Sequence, residues 1–144
     1  MASQDPLKNF RFRVEIDGLT VAGFSEVMIG ASTTDVIEYR EGNEPARIHK
    51  LSGLHKTGNV TLKRGITGSL ELWNWYKQVL TGQTAAARRT VVIVVADDTG
   101  ADRARFVVRD AWPTKYDPSD LDAKGNEVFI ETLELVNEGI ERES

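Results

Sequence analysis

Residues 36–65 constrain this chain more than any other stretch. Val36, Ile37, Glu38, Tyr39 and Arg40 read as a strand, and Asn59, Val60, Thr61, Leu62, Lys63 and Arg64 read as another. Between them runs a glycine-punctuated segment, expected as an extended loop over residues 43–58. Compact domains seldom keep a loop of ~15 residues unless it is functional or disordered. This one holds Ile48, Leu51 and Leu54, which a merely solvated linker does not need. It is also basic. Arg47, His49, Lys50, His55, Lys56, Lys63 and Arg64 fall between Glu44 and Glu71 with no acid among them. A docking role is the expectation.

The 144 residues suffice for a single domain, which would bury roughly 68–70% of the surface its unfolded chain exposes. With 40% hydrophobic and 28% charged residues, an ordinary globular core is affordable. The longest apolar run, 91–96, falls far short of the ~18–20 residues of a spanning helix, so no membrane insertion is expected. Residues 1–6 lack the basic and apolar regions of a secretion signal, which points to assembly in the cytoplasm. Cysteine is absent, removing disulfides, thiolate catalysis and the usual structural zinc sites together. The net charge of −4 says little, but its distribution says more. From Asp117 onward stand Asp120, Asp122, Glu127, Glu131, Glu134, Glu138, Glu141 and Glu143, against only Lys124 and Arg142. Such a tail repels phosphate and argues against a nucleic-acid binder.

Phe10, Phe12, Val14 and Ile16 alternate with Arg11, Arg13 and Glu15, the period of a half-buried strand. Asp17 and Gly18 supply a turn expected to make a hairpin with residues 19–28. The spacing predicts one helix over 69–80, with Leu72, Trp73, Tyr76, Val79 and Leu80 sharing a face, Thr67 or Ser69 as cap and Gly82 at the end. Residues 91–96 read as a buried strand and 97–100 as a turn. Ala104, Phe106 and Val108 return between Arg103, Arg105 and Arg109, and Trp112-Pro113 is expected to stop that strand. Residues 116–125 carry turn chemistry. In the last strand, 127–137, the apolar parity shifts from Val128 and Ile130 to Leu133 and Leu135, which implies a bulge near 131–132 or burial on both faces.

Catalytic readings fail in turn. His49 and His55 have poor zinc spacing and no cysteine beside them. Residues 53–58 match a phosphate loop only until Asn59, where lysine is required. Lys56-Thr57-Gly58 matches one β-lactamase element, but no Ser-x-x-Lys accompanies it. Ser52 sits in Leu-Ser-Gly-Leu, not in a nucleophile elbow. Trp73, Trp75 and Tyr76 fit helix packing better than an aromatic binding platform. Neither catalysis, metal nor cofactor is expected.

Several blocks, in order, resemble the tail-tube proteins of contractile phage tails and contractile injection systems. They are residues 5–14 (Asp5-Pro6-Leu7-Lys8-Asn9-Phe10 onward to Val14) with Gly23-Phe24-Ser25-Glu26-Val27, then Val36-Ile37-Glu38-Tyr39-Arg40-Glu41-Gly42, then residues 50–65, from Lys50-Leu51-Ser52-Gly53-Leu54 to Leu62-Lys63-Arg64-Gly65. Leu72-Trp73-Asn74-Trp75, Trp112-Pro113-Thr114-Lys115-Tyr116 and residues 125–135, from Gly125-Asn126-Glu127-Val128 to Leu133-Glu134-Leu135, follow. The chain departs from the family's usual Val-Ser-Gly-Leu at Met28-Ile29-Gly30-Ala31, and from a common Pro-Gly pair at Ser52-Gly53. The resemblance implies a mainly β domain over 1–144, a small two-sheet β-barrel with one flanking α-helix and an N-terminal arm at 1–8. It implies hexameric rings stacking into a tube inside a contractile sheath, with baseplate, spike and tube-terminating partners. Similar barrels form type VI secretion tubes. The cargo is DNA in phages and protein toxin in injection systems.

Stacking requires one surface to recognise a different surface on the next copy. The expected interface joins Arg47, Ile48, His49, Lys50, Leu51, Leu54, His55 and Lys56 to Glu134, Glu138 and Glu141 of a neighbour. The competing reading leaves each charged segment as solvated surface. Two alternatives stand beside the bulk-tube subunit: a tube-initiating baseplate paralogue, and a small ligand- or oligonucleotide-binding β-barrel, which needs a cavity or stacking aromatics.

Overall fold

A computed structural model of the chain describes residues 10–19, 23–43, 46–66, 69–118 and 129–144. The expected arm at 1–8, the Thr67 cap, and Asp120, Asp122, Lys124, Glu127 and Val128 lie outside these residues. Five strands come first: β1 (Arg11–Ile16), β2 (Phe24–Ile29), β3 (Ser32–Tyr39), β4 (His49–Thr57) and β5 (Val60–Gly65). Helices α1 (Glu71–Leu80) and α2 (Thr84–Ala87) follow, then β6 (Arg89–Ala96), β7 (Asp102–Asp117), β8 (Ile130–Val136) and β9 (Gly139–Arg142).

Period-2 patterning builds the sheet. Val14 and Ile16 of β1 are buried while Arg11, Arg13 and Glu15 are exposed. Val60 and Leu62, Val91 and Ile93, and Leu133 and Leu135 meet in one core with Leu72 and Trp75 of α1. Trp75 Nε1 donates to the Ala87 carbonyl at 2.6 Å, tying α1 to α2. The inward helix stripe therefore differs from the expected one. Trp75 is buried, whereas Trp73 and Leu80 are exposed at 37% and 57%. Gly82, with φ of 83°, ends α1 as expected, its N–H donating to the Val79 carbonyl.

The sheet runs β1-β6-β7-β8-β5-β2, with β9 beside β7 and β3–β4 as a separate pair. β7 is 16 residues long and serves two halves, pairing β6 and β9 early and β8 late. Pro113 does not stop it. The strand changes partners around Ala111 and Trp112, Asp110 takes a φ of 50°, and a bulge follows between Pro113 and Lys115. Proline is tolerated in a sheet at such a bulge.

The expected barrel is not closed. Among the described residues β1 and β2 are the two ends of an open sheet, and they do not pair with each other. Among the described residues, the anticipated hairpin at Asp17-Gly18 keeps one bridge, Ile16↔Leu19. β1 instead pairs β6 from Arg11↔Ala96 to Ile16↔Val91, and β2 pairs β5. Phe24 and Val27 show why β2 suits that place. Three residues apart, they both reach the core because a bulge between Phe24 and Glu26 absorbs the extra residue.

β8 keeps its phase. Its register with β5 runs unbroken from Val60↔Leu135 to Gly65↔Ile130, with neither bulge nor double burial. The inward positions are Glu131, Leu133 and Leu135, so a buried carboxylate fills the place where an apolar residue was expected. The segment 43–58 also differs from expectation: most of it is β4, paired along β3.

Candidate subunit interface

β2 pairs β5 inside the large sheet, and β3 pairs β4 outside it. The chain passes between the two pairs at Gly30-Ala31 and Gly58-Asn59, so both belong to one long ribbon whose outer half is an arm. Two hydrogen bonds bridge the junction, Gly30 N–H to Asn59 O at 3.0 Å and Gly58 N–H to Ala31 O at 2.9 Å. The backbones there are too close for side chains. A Cβ on Gly30 would lie 2.7 Å from the Asn59 oxygen, and one on Gly58 would lie 2.8 Å from Gly30 Cα.

The register of the arm decides what it displays. Tyr39↔His49, Ile37↔Leu51 and Val36↔Ser52 pair in sequence, but Thr34 then pairs His55. One extra residue thus sits in β4 around Gly53 and Leu54. Side chains alternate along strands, so Leu51 and Leu54 would ordinarily point to opposite faces. The bulge restores them to the same one. Ile37, Tyr39, His49, Leu51 and Leu54 then share a face, with Asp35 and Lys56 at its far end, 3.7 Å apart. Glu38, Lys50, Val36, Ser52, Thr34 and His55 occupy the other. The first face is open to solvent, with Ile37, Leu51 and Leu54 exposed at 51%, 54% and 71%. A lone two-stranded hairpin is marginal in water, and this one presents an uncovered apolar face.

The structure gathers the basic half of the expected interface. Arg47 and Ile48 are exposed beside β4, His49 stacks on Tyr39 with ring centres 5.0 Å apart, and His55 Nδ1 lies 2.8 Å from Thr34 Oγ1. Lys50 stands opposite Glu38. The acidic half lies elsewhere and is matched within the chain. Glu134 accepts from Asn59 Nδ2 at 2.8 Å, Glu138 pairs Arg88 at 2.5 Å, and Glu141 pairs Arg109 at 3.1 Å. The guanidiniums of Arg88 and Arg109 hold the Glu138 and Glu141 carboxyls below their usual range.

The arginines of β7 form a second charged surface. Arg105 pairs Glu143 at 3.0 Å, and Arg13 grips Asp102 with two bonds of 3.0 and 3.1 Å. Arg13, Val94 and Arg105 are cross-strand neighbours, so they stand on one face of β1, β6 and β7. Val94 is buried there, outside the main core cluster. Among the described residues no group of histidines and carboxylates is placed to hold a metal ion.

Sequence reasoning passed over the two junction glycines and Asn137. The Asn137 Nδ2 donates to the Gly58 carbonyl at 2.9 Å, and its Oδ1 accepts from Thr57 Oγ1 at 2.5 Å. The available signal was a glycine at each end of the pair of strands, Gly30 and Gly58.

Solved structures share this fold. A chain in the cryo-EM structure of an extracellular contractile injection system, the PVC sheath–tube complex in its extended state, superposes with a TM-score of 0.84 at 24% identity, covering 98% of this chain and 93% of that one. A chain of the anti-feeding prophage tube-terminating cap gives 0.81 at 22% identity, over 100% and 95%. Hcp1 from Flavobacterium johnsoniae is more distant, at 0.55 and 16% identity, over 91% and 93%. No curated protein gives a significant sequence match. The family model of the T4-like virus tail tube protein gp19 matches residues 8–141, nearly the whole length. The chain belongs to the family of the T4-like virus tail tube protein gp19.

Proposed function

We propose that this protein is the repeating subunit of the inner tube of a contractile tail or injection system, forming hexameric rings that stack into a conduit. Its role is structural and not enzymatic, as its family membership implies. The observation that carries the reading is the β3–β4 arm, whose apolar face is uncovered in the single chain. Among the described residues, the sheet ends at β1 and β2 add two unpaired edges that self-association would cover.

In the assembly, Ile48, Leu51 and Leu54 anchor the arm on a neighbouring copy, and Arg47, His49, Lys50, His55 and Lys56 steer it toward Glu134, Glu138 and Glu141. Each rim ion pair contributes roughly 0–1 kcal/mol. Arg88 and Arg109 of the receiving copy already compete for Glu138 and Glu141, so apolar burial does most of the holding. The contact is heterologous and propagates along the stack instead of closing on itself. Structures of related systems describe a sheath–tube complex, a 6-fold symmetrised baseplate and a terminating cap. We extend those partners to this chain, with DNA or a protein toxin as cargo, in a tail or injection particle assembled in the cytoplasm.

Leu51→Asp combined with Leu54→Asp tests the reading. Both side chains are exposed in the monomer, so folding survives. Loss of rings and tubes by electron microscopy is the expected result, and assembly at the wild-type threshold concentration would overturn it.

A further inference from the structure

The arm leaves the domain at a joint built from glycine on both strands. Glycine accepts many backbone angles, so Gly30 and Gly58 alone would let the ribbon pivot. The ribbon also loses lateral support there. β8 lies along β5 as far as Val60↔Leu135 and along β7 as far as Trp112↔Val136; among the described residues no third strand hydrogen-bonds to β3 or β4, although β9 approaches β4. Asn137 comes immediately after β8. Its carboxamide uses both ends on the arm base, donating to Gly58 O and accepting from the Thr57 hydroxyl.

We propose that Asn137 is a positioning residue for tube assembly, fixing the angle at which the β3–β4 arm projects. This rests on the arm being the docking element. The leverage is large: β4 spans nine residues. At ~3.3 Å per residue, a tilt of about 10° at Gly58 shifts the His49 end by about 5 Å, Leu51 by about 4 Å and Leu54 by about 2 Å, enough to misplace the apolar pair on a neighbour. Without the carboxamide the arm samples a range of angles, and apparent affinity falls in proportion to the fraction held in the docking pose. The core stays intact, since Asn137 is outside the buried cluster around Leu133 and Leu135.

Three variants of the full chain test this: Asn137→Ala, Thr57→Val and Thr57→Ser. The sequence has no cysteine, so spin labels attach cleanly at Ser52→Cys on the arm's polar face and Lys77→Cys on α1. Wild type and Thr57→Ser, which keeps the hydroxyl, are expected to give one narrow label-to-label distance. Asn137→Ala and the isosteric Thr57→Val are expected to broaden it and to raise the threshold concentration for assembly about tenfold, as when a tenth of the arms remain competent. Unchanged distance widths and thresholds in both disruptive variants would overturn the positioning role. The Leu51→Asp, Leu54→Asp pair separates the two ideas. If it abolishes assembly while Asn137→Ala leaves the threshold alone, only the positioning role falls. If it leaves assembly intact, the docking reading falls too.

Discussion

Arg64 and Glu131 stand opposite each other across β5 and β8, with side chains only 5% and 4% exposed. Arg64 Nε donates to Glu131 Oε1 at 2.5 Å, and the Tyr116 hydroxyl donates to the other carboxylate oxygen at 2.6 Å. The guanidinium also lies 5.9 Å from the Phe24 ring centre. Removing one member of a buried pair strands the other charge, so Arg64→Ala is expected to lower stability by about 3–5 kcal/mol in urea unfolding. Replacing both, Arg64→Met with Glu131→Leu, is expected to cost far less. Arg64 Nη2 has no partner among the described residues, so the pair already carries an unmet polar group.

Tyr116 gives this cluster an alkaline limit. Burial, then its bond to Glu131, pushes its hydroxyl up to about 12. A phenol whose ionisation is disfavoured by folding stabilises fully below its ordinary pKa near 10. That contribution is lost as pH rises from about 10 toward about 12. Tyr116→Phe should therefore flatten the fall in melting temperature over that window relative to wild type. An identical alkaline slope in both proteins would count against the assignment.

At the base of the arm, alanine is expected to act locally. Gly30→Ala or Gly58→Ala forces a Cβ to within 3 Å of opposing backbone atoms, a misfit of the overpacking kind that costs about 1–3 kcal/mol. Backbone hydrogen exchange should accelerate across β3 and β4 while Val60 and Leu62 of β5 stay protected.

The two tryptophans of α1 make a controlled comparison. Trp75 is buried and hydrogen-bonded to Ala87, whereas Trp73 is partly exposed and touches Tyr116 edge-on with ring centres 5.3 Å apart. Trp75→Ala is expected to cost about 3–5 kcal/mol, and Trp73→Ala about 1. Denaturant titration of the two variants checks the order.

These contrasts show what the sequence could and could not convey. β1, β6 and the turn at 97–100 were legible because local chemistry decides them. Alternation and an apolar run make the strands. In the turn, Asp97 Oδ1 accepts from the Thr99 and Ala101 N–H groups at 2.9 and 3.1 Å. Trp75 was read as helix packing but left out of the named stripe, which put Trp73 inward instead because it was centred one position off. Glu131 was missed because a carboxylate reads as outward unless its partner is known, and Arg64 is 67 residues away in sequence. In the arm, β3 was legible at 36–39, but β4 was read as loop: both faces of the arm are exposed, so β4 shows no buried alternation within one chain. Closure of the sheet depends on where β1 and β2 find partners, a non-local choice that the Asp17-Gly18 turn does not control. The exposed apolar residues Leu51 and Leu54 stood out in the sequence, but their common face depends on a bulge that only the register reveals.

Self-association is the centre of this account, and sedimentation velocity over a rising concentration series, with electron microscopy of the same samples, tests it most directly. Six-membered rings and stacks growing with concentration, alone or with sheath and baseplate proteins present, are the expected result. A single monomeric boundary at every concentration and with every partner would contradict it.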